Sequence, residues 1–498
     1  MLRNPHPKVY QKIKKTKALM TAGVIPEKFE EKGGLSLENY RSILKIIESR
    51  QDSLKDFVRK NEVDDFQQLR SSASIVRKKS VIGSRNALVL LVDFEDKEKI
   101  TPAQHYQELL FSLGTVENGS MREYYREVSW NQLDINGVVS GWFRADQEYS
   151  NYVDEGHTNT NTQKWKMPKA QKLVKEVVDK AIQSHNLGKL SNFDSNGNGK
   201  LDNLIIIHSG HGAERTGDMS NIWPHHDKLK KPIHLSNDLI IDRYVLMHEI
   251  PSYDLGGFCH EMAHSLGLPD LYQPDFSCMV VGRWCLMGIG CSNNDGRTPA
   301  HLSAWCKVRM GWVKPEKITE YNIHDLPVVN DPNKKIYKFD VNGSNGREYF
   351  LVENRQQIGF DRFIPGNGLL IWHVDEDRAI DYFPNCNPKH PFLTLEQADG
   401  KNELETRVIK SKKLQSSFED LIGNAGDAYP GDTNNRTFNN KSNPNSNSYM
   451  GKVSCVNINS ISDSGNLMTA EMGIQCDKSS KSNFKDKKPI LMSLKFDY

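Results

Sequence analysis

The sequence predicts an α+β fold in which a mixed α/β lobe is followed by an all-β domain of sandwich type and preceded by a short helical N-terminal segment. Two observations predict this arrangement. Between residues 85 and 320, apolar strand-like runs alternate with segments of helical spacing. Beyond about residue 320, short strand-like runs recur, separated by clusters of Asn, Gly and Asp. We therefore expect the chain to divide into residues 1–80, 85–320, 321–475 and 476–498.

The N-terminal segment, residues 1–80, is rich in Lys and Glu and contains one helical pattern that begins after Ser36. The segment ends in the basic stretch Arg77, Lys78 and Lys79, which is the kind of exposed sequence that proteases cut. A removable pro-segment and a plain N-terminal arm both fit this pattern. At the other end of the chain, residues 476–498 form a basic tail that we expect to be solvated.

Within residues 85–320, four stretches carry clear local signals. The apolar run at residues 87–94 predicts a core strand, and residues 133–143 read as strand material broken by glycines. Ser120 and Glu123 form a capping box at the start of a helix. Pro168 opens a longer helix, whose apolar positions 170, 173, 174, 177, 181 and 182 keep helical spacing.

Composition narrows the class of protein. The chain has 498 residues, of which 37% are hydrophobic and 26% charged, with a net charge of +2. These values are typical of a rather polar globular protein and indicate no nucleic-acid partner. The apolar runs are far shorter than the ~18 residues that a transmembrane helix requires, and no apolar stretch follows the basic N-terminus as in a Sec-type signal peptide. The oligomeric state is not indicated.

The eight cysteines contain no C-x-x-C pair, so a cysteine-based zinc site is not predicted. Four of them lie between residues 278 and 306. One or two disulfides within this cluster are an open alternative, as are unpaired thiols.

The stretch GGFCHEMAHSLGLPD, residues 256–270, predicts one metal site. His260 and His264 are four residues apart and therefore share a helix face, where both can bind one zinc ion. Glu261 lies beside the first histidine and can act as a general base without being a ligand. Gly267 ends the helix and lets the chain reverse, so that Asp270 can return as the third ligand. The fourth position is left for water, which predicts hydrolytic chemistry.

Met287 follows the third candidate ligand in the Gly-rich stretch GRWCLMGIG. In the metzincin pattern, a methionine turn at this place in the order forms a hydrophobic floor beneath the metal. A core methionine is the simpler alternative. The order and distance after the zinc motif favour the methionine turn.

Residues 194–202, DSNGNGKLD, resemble a calcium-binding loop. Asp194, Asn196, Asn198 and Asp202 supply oxygen side chains at positions 1, 3, 5 and 9, Gly199 permits the sharp turn, and Lys200 offers its carbonyl group. The loop departs from the EF-hand pattern at position 12, where Ile205 replaces the bidentate glutamate. The alternative is an Asn/Gly turn that leads into a strand.

Four further histidines lie between this loop and the zinc motif, and none has zinc-motif spacing to a second ligand. We interpret them as substrate-cleft or structural residues. They are His208, His211, His225 and His226.

Taken in order, these motifs resemble the immune inhibitor A family of secreted zinc metallopeptidases. The resemblance runs from about residue 87 to residue 473 and rests on VLLVDFED, GSMREYYREVSW, DSNGNGKLDNLIIIHSGHGAE, NIWPHH, HEMAHSLGLPDLY, WCLMGIG, AHLSAWCKVRMGWV, EYFLVENRQ, GLLIWHVDED, QADGKNEL and GDAYPGD. It implies a metzincin-like catalytic domain with zinc on His260, His264 and Asp270, base Glu261 and methionine turn Met287. It also implies structural calcium, endopeptidase activity on protein substrates and an extracellular location.

Two hypotheses from different classes follow. The first is a zinc metalloendopeptidase that hydrolyses peptide bonds with a metal-activated water and Glu261 as general base. The second is a calcium-dependent binding protein whose zinc site is only structural. Structural zinc sites fill all four positions with protein ligands, usually including cysteine, so three predicted ligands beside a glutamate favour the enzyme.

Overall fold

The computed structural model describes residues 80–154, 167–185, 187–213, 218, 220–236, 238–249, 255–272, 279–342, 344–378, 385, 390–406 and 421–476. The helix predicted after Ser36 and the lysines of the basic tail lie outside these residues. Among the helices inside these ranges, none combines the length and the apolar character needed to cross a membrane.

A five-stranded sheet forms the centre of the first half of the chain. Its strands are β1 (Gly83–Asp93), β2 (Leu133–Arg144), β3 (Asn203–His208), β4 (His225–His234) and β5 (Ile240–His248), in the spatial order β2-β1-β3-β5-β4. β1 pairs in parallel with β2 and β3, and β3 pairs in parallel with β5, with Ile205 opposite Val245. Edge strand β4 runs antiparallel to β5. The sheet is therefore parallel except at one edge.

Helices cover both faces of this sheet. Its α-helices include α1 (Ala103–Phe111), α2 (Met121–Val128), α3 (Pro168–Gln183), α4 (Leu255–Leu266) and, further along the chain, α5 (Ala304–Arg309). Alternate residues of β1 enter two different cores: Val89 and Leu91 pack with α1, α2 and α4, whereas Leu88 and Leu90 pack with α3. Because successive side chains of a strand point to opposite faces, a strand covered on both sides is apolar along its length. This explains the continuous apolar run that predicted β1.

The predicted helix starts are confirmed. Glu123 N–H donates to Ser120 Oγ at 3.1 Å and Ser120 N–H donates to Glu123 Oε2 at 2.8 Å, which completes the capping box of α2. Pro168 is the first residue of α3, where its missing N–H leaves no intrahelical hydrogen bond unmade.

The second half of the chain contains two smaller sheets. Their strands are β6 (Glu316–Lys317), β7 (Asn322–Pro327), β8 (Tyr337–Asp340), β9 (Glu348–Arg355), β10 (Gly368–Asp375), β11 (Leu393–Leu395), β12 (Val456–Asn459) and β13 (Leu467–Ile474). One sheet has the order β11-β10-β9-β8-β6 and the other the order β12-β13-β7. Phe350 and Ile371 of the first sheet share a core with Ile458 and Met472 of the second. The strand-rich pattern predicted beyond residue 320 is confirmed, and the whole chain is of mixed α and β structure.

The opposite face of the larger of these two sheets contributes to the hydrophobic core that also contains residues of helix α4. Leu351 and Trp372, from β9 and β10, belong to the same core as Phe258 and Met262 of α4. The hydrophobic core therefore continues across residue 320. The division of the chain at that position stays a prediction.

One disulfide joins Cys455 and Cys476, at the end of the second sheet. Cys285 and Cys306 are buried thiols. The alternative of a disulfide between these two members of the 278–306 cluster is therefore wrong. The disulfide of the β region joins a pair that the spacing of the cysteines does not indicate.

Candidate metal centre

Helix α4 carries the candidate ligands and packs very closely on the segment that follows it. A Cβ atom on Gly256 would lie 1.8 Å from the carbonyl oxygen of Cys291, so a larger residue would push the helix away from that segment. The packing buries His260 and Glu261 completely and leaves 15% of the His264 side chain exposed. The two histidines thus lie at the boundary between the core and solvent.

The chain reverses directly after α4, as predicted. The helix ends at Leu266, and Gly267 adopts a φ of +102°, which is a left-handed conformation that glycine enters without strain. Leu268 N–H then donates to the carbonyl oxygen of Ala263 at 3.0 Å and closes the last turn. This turn returns Asp270 to the face of the helix that carries the histidines.

Three side-chain atoms converge on one point. His260 Nε2 lies 3.1 Å from His264 Nε2, and Asp270 Oδ1 lies 3.0 Å from the first and 3.2 Å from the second. Zinc bonds of 2.0–2.2 Å in a tetrahedral arrangement would hold such ligands ~3.3 Å apart. The triangle is therefore close to the size that zinc requires. The donor set, two imidazole nitrogens and one carboxylate oxygen, is also one that zinc accepts.

The other ring nitrogens decide which atoms face this point. His260 Nδ1 donates to the carbonyl oxygen of Leu286 at 3.0 Å, and His264 Nδ1 donates to that of Leu268 at 2.8 Å. Because a carbonyl oxygen only accepts, each Nδ1 carries a proton, and each neutral ring then presents the lone pair of Nε2. Two lone pairs and a carboxylate at this spacing could hold one metal ion between them. A proton can join only two of the three atoms, whereas a tetrahedral metal ion contacts all three.

The local electrostatics agree with this arrangement. Burial lowers the pKa of His260, which favours its neutral, metal-binding form. Burial acts to raise the pKa of Asp270, but the neighbouring imidazoles of His264 and His260 hold it well below its ordinary range. Asp270 is therefore a carboxylate and a negatively charged candidate ligand.

Glu261 is fully buried and lies beside the triangle without belonging to it. Its carboxylate, like the two imidazoles, offers a ligand atom, and these three atoms lie within 4.8 Å of one another. Its place on α4, one residue after His260, directs it to the neighbouring face of the site. A carboxylate in this position can exchange a proton with a molecule held at the triangle.

Met287 belongs to a turn that supports two of the three candidate ligands, His260 and Asp270. The turn closes through Gly288 N–H, which donates to the carbonyl oxygen of Cys285 at 2.9 Å. Leu286 accepts the bond from His260, and the carbonyl oxygen of Met287 accepts from Leu271 N–H at 2.8 Å, one residue after Asp270. The Met287 side chain is fully buried. One short turn thus holds the first histidine and the chain next to the aspartate.

The predicted calcium loop lies apart from this centre, before β3. The Asp194 carboxylate accepts N–H bonds from Asn198 at 3.0 Å and Gly199 at 2.9 Å, and the Asp202 carboxylate accepts from Ser195 N–H at 3.0 Å. These bonds are typical of an Asx-type turn. Asn196 Nδ2 also donates to Asp202 at 3.1 Å, and Lys200 N–H donates to Asn198 Oδ1 at 2.9 Å. Calcium binding by this loop stays a prediction.

Two aromatic rings flank the triangle. The His226 ring lies 6.3 Å from that of His264 with an interplanar angle of 26°, and the Tyr272 ring lies 6.4 Å from that of His260 with an angle of 16°. Tyr272 follows Asp270 by two residues, and this proximity in sequence is the signal that could have marked it. His226 lies at the start of β4, the antiparallel edge strand, and only the sheet order brings it to the ligands.

The remaining three histidines lie elsewhere. His208 is fully buried, and burial lowers its pKa to about 4, while its Nδ1 donates to the carbonyl oxygen of Ser209. His225 is also buried; its Nδ1 donates to Trp223 and its Nε2 lies 2.8 Å from Tyr244 Oη. These two have the contacts of structural residues, and His211 is exposed.

A largely parallel sheet, a helix with two histidines and a glutamate, and a carboxylate returned by a glycine turn are together typical of a metallopeptidase catalytic domain. Comparison with known proteins points to the same class. Residues 77–313 match the family model described as "Immune inhibitor A peptidase M6, catalytic domain". This range of the chain is therefore similar to the catalytic domain of the peptidase M6 family of metalloproteases.

Two kinds of relative match over part of their length. The chain is 27% identical to "Pre-pro-metalloprotease PrtV" of Vibrio cholerae over 301 residues, which cover 49% of this chain and 32% of that protein. It is 26% identical to "Immune inhibitor A" of Bacillus thuringiensis subsp. alesti over 231 residues, which cover 40% of this chain and 34% of that protein. The match thus spans about a third of the length of each relative.

Proposed function

We propose that this chain is a zinc-dependent endopeptidase that hydrolyses peptide bonds in protein substrates. The observation that carries the proposal is the convergence of His260 Nε2, His264 Nε2 and Asp270 Oδ1 within 3.2 Å of one another, beside the buried Glu261. The M6 catalytic-domain match, which spans all four residues, supports the same class.

His260, His264 and Asp270 would hold one zinc ion, which supplies a Lewis acid that lowers the pKa of water to ~7 and polarises the scissile carbonyl. Glu261 accepts a proton from the attacking water. It then delivers that proton to the amide nitrogen as the carbon–nitrogen bond breaks and the amine leaves. The Leu286 and Leu268 carbonyl groups fix the ring orientations of the two histidines throughout.

The substitution Glu261→Gln tests this mechanism. Glutamine keeps the size of the side chain and removes its ability to accept a proton, so zinc content should be unchanged while casein cleavage falls by about 10²–10⁴-fold. Zinc is measured by metal analysis of the purified protein and cleavage by release of labelled peptides. A fully zinc-loaded variant that cleaves casein at the parental rate would exclude Glu261 as the base.

A chelator control separates the enzyme from the binding-protein alternative. The parent protein should lose casein cleavage on treatment with a zinc chelator and recover it when zinc is restored. A binding protein with a structural zinc site would show no chelator-sensitive cleavage, and this outcome would overturn the proposed function.

The catalytic domain, residues 85–320, is of metzincin-like type, with Met287 as the floor of the metal site. Support comes from the buried Met287 side chain and from its carbonyl group, which accepts from Leu271 next to the third ligand. Residues 321–475 form an all-β domain of sandwich type, supported by the core that the two smaller sheets share.

Calcium stabilises the catalytic domain by binding the loop of residues 194–202. The loop leads directly into β3, and Gly199 carbonyl oxygen accepts from Ile240 N–H of β5 at 3.0 Å. An ion in the loop would therefore fix the entry to two central strands. It would also offset the repulsion between the negative charges of Asp194 and Asp202.

A further inference from the structure

Four charged side chains are completely buried between helix α5 and the β region. They are Lys307, Glu353, Arg355 and Asp361. Lys307 Nζ lies 2.9 Å from Glu353 Oε2, and Arg355 contacts Asp361 through two bonds of 2.5 and 2.6 Å. Buried charges are costly unless they are paired and hydrogen-bonded, and here each has an oppositely charged partner. The paired arginine fork also fixes the position of the Asp361 carboxylate.

Asp361 is the first member of a chain of hydrogen bonds that ends at the metal centre. Its Oδ1 accepts from the backbone N–H of His301 at 2.8 Å. The carbonyl oxygen of His301 accepts from Leu286 N–H at 3.1 Å, and the carbonyl oxygen of Leu286 accepts from His260 Nδ1 at 3.0 Å. Every residue in this chain is buried. Three consecutive bonds therefore link a carboxylate of the β region to the ring of the first candidate ligand.

This geometry controls the direction of His260 Nε2. The Nδ1 bond sets the rotation of the ring, and the opposite nitrogen, Nε2, points into the triangle. A shift of the Leu286 carbonyl would therefore turn Nε2 away from His264 and Asp270. The His301 side chain adds a second restraint, because its Nε2 lies 2.8 Å from Glu127 Oε1. Such outer partners of a metal-binding histidine tune metal affinity by about 10–100-fold.

We propose that Asp361 is a positioning residue for the metal centre, which orients His260 through the backbone of His301 and Leu286. The inference rests on the proposed role of His260 as a zinc ligand. Asp361 lies outside residues 77–313, the range that matches the family's catalytic domain. The metal-binding geometry of that domain thus depends on a residue of the β region.

The test compares Asp361→Asn with Glu353→Gln in the full chain. Both substitutions remove one buried negative charge from the same cluster with little change in size. Both oxygens of the Asp361 carboxylate accept hydrogen bonds, because Arg355 donates to each of them and His301 N–H donates to one. In asparagine, an NH₂ group replaces one of these oxygens and therefore faces a donor in either orientation of the amide. Glu353 contacts Lys307, Arg355, Trp372 and Ala304 N–H, so its substitution leaves intact the three hydrogen bonds that link Asp361 to His260.

The measurements are zinc affinity, by competition with a chelator, and the visible absorption spectrum of the cobalt-substituted protein, both at a temperature where the variants are folded. Asp361→Asn should weaken zinc binding by about 10-fold and alter the cobalt spectrum. Glu353→Gln should keep parental affinity and spectrum even if it unfolds at a lower temperature. Parental zinc affinity in Asp361→Asn, or equal losses in both variants, would overturn the proposal.

Two further variants keep the result interpretable. If Asp361→Asn does not fold, Arg355→Lys replaces it. Lysine keeps the positive charge but cannot make the two parallel bonds that hold the Asp361 carboxylate, so zinc binding should also weaken. A folded Arg355→Lys protein with parental zinc affinity and cobalt spectrum would overturn the proposal.

His260→Ala tests the underlying function. If it retains parental zinc binding, the proposed metal site itself fails, whereas zinc loss in His260→Ala together with an unaffected Asp361→Asn removes only the positioning role.

Discussion

The two candidate ion sites of this chain differ in what their side chains already contact. At the metal centre, His260 Nε2, His264 Nε2 and Asp270 Oδ1 face one another at 3.0–3.2 Å, and the remaining ring nitrogens are bonded outward to carbonyl groups. In the loop of residues 194–202, the carboxylates of Asp194 and Asp202 are bonded inward to N–H groups of the loop at 2.9–3.1 Å.

This difference separates donor atoms that face one another from carboxylates that already have N–H partners. Three electron-pair donors that face one point can share one metal ion. Carboxylates that accept backbone N–H bonds are already stabilised, and an ion must compete with those bonds. Both stretches carry recognisable sequence motifs, so the motif alone does not distinguish the two situations. The arrangement of the neighbouring N–H and carbonyl groups does.

The largest expected effect concerns Asp270. Alanine at this position would remove one vertex of the triangle, and zinc binding should weaken by more than the roughly 10–100-fold that loss of an outer partner costs. Histidine, the commoner third ligand in the metzincin pattern, should retain more zinc than alanine does. Zinc content and affinity of the two variants provide the measurement. Full metal occupancy in Asp270→Ala would show that Asp270 is not a ligand and would remove the contrast with the loop.

Signals that act over a few residues predicted their structures well. The capping box at Ser120, the helix start at Pro168 and the glycine turn that returns Asp270 each depend on neighbouring residues, and each is present. The contact between Asp361 and His301 joins residues 60 positions apart. No local spacing rule indicates such a bond, because it depends on how β9 packs against α5.

Tertiary packing also explains why neither the disulfide nor the continuous core could be predicted from the sequence. Cys455 and Cys476 are 21 residues apart and meet because β12 and β13 are paired strands, whereas the cysteines that cluster in sequence include the unbridged Cys285 and Cys306. The core that continues from α4 to β10 is likewise a consequence of tertiary packing. Periodicity identifies the strands but does not say which face of a sheet meets which helix.

The next effect in size is the response of the loop to calcium. An ion that binds only the folded state, at a hundred times its dissociation constant, adds about 2.7 kcal/mol to the free energy of unfolding. Replacing both Asp194 and Asp202 by Asn removes both negative charges, but it also sets an amide NH₂ group against an N–H donor, because both oxygens of each carboxylate accept hydrogen bonds. The variant should therefore be less stable than the parent without calcium and should show no gain with it.

Thermal unfolding of parent and variant, each with and without calcium, gives the four values needed. A parental gain in the doubly substituted protein would place the ion elsewhere. No gain in the parent would mean that the loop is only a hydrogen-bonded turn, in agreement with its inward N–H bonds.

The smallest effect concerns the glycines that shape this loop. Gly199 has a φ of +75°, and a Cβ atom there would meet only the carbonyl oxygen of Asp238, at 3.2 Å. Gly197 has a φ of +67° and would place its Cβ in open space. Alanine at either position should lower the free energy of unfolding by about 1–2 kcal/mol, because both require the left-handed conformation.

Gly197→Ala is the control for this conformational cost alone. Neither side chain would be a ligand, so calcium should raise the melting temperature of both variants as it does that of the parent. If Gly199→Ala alone loses the calcium response, the backbone at position 199 supports an ion site, and the contrast between loop and metal centre becomes one of degree.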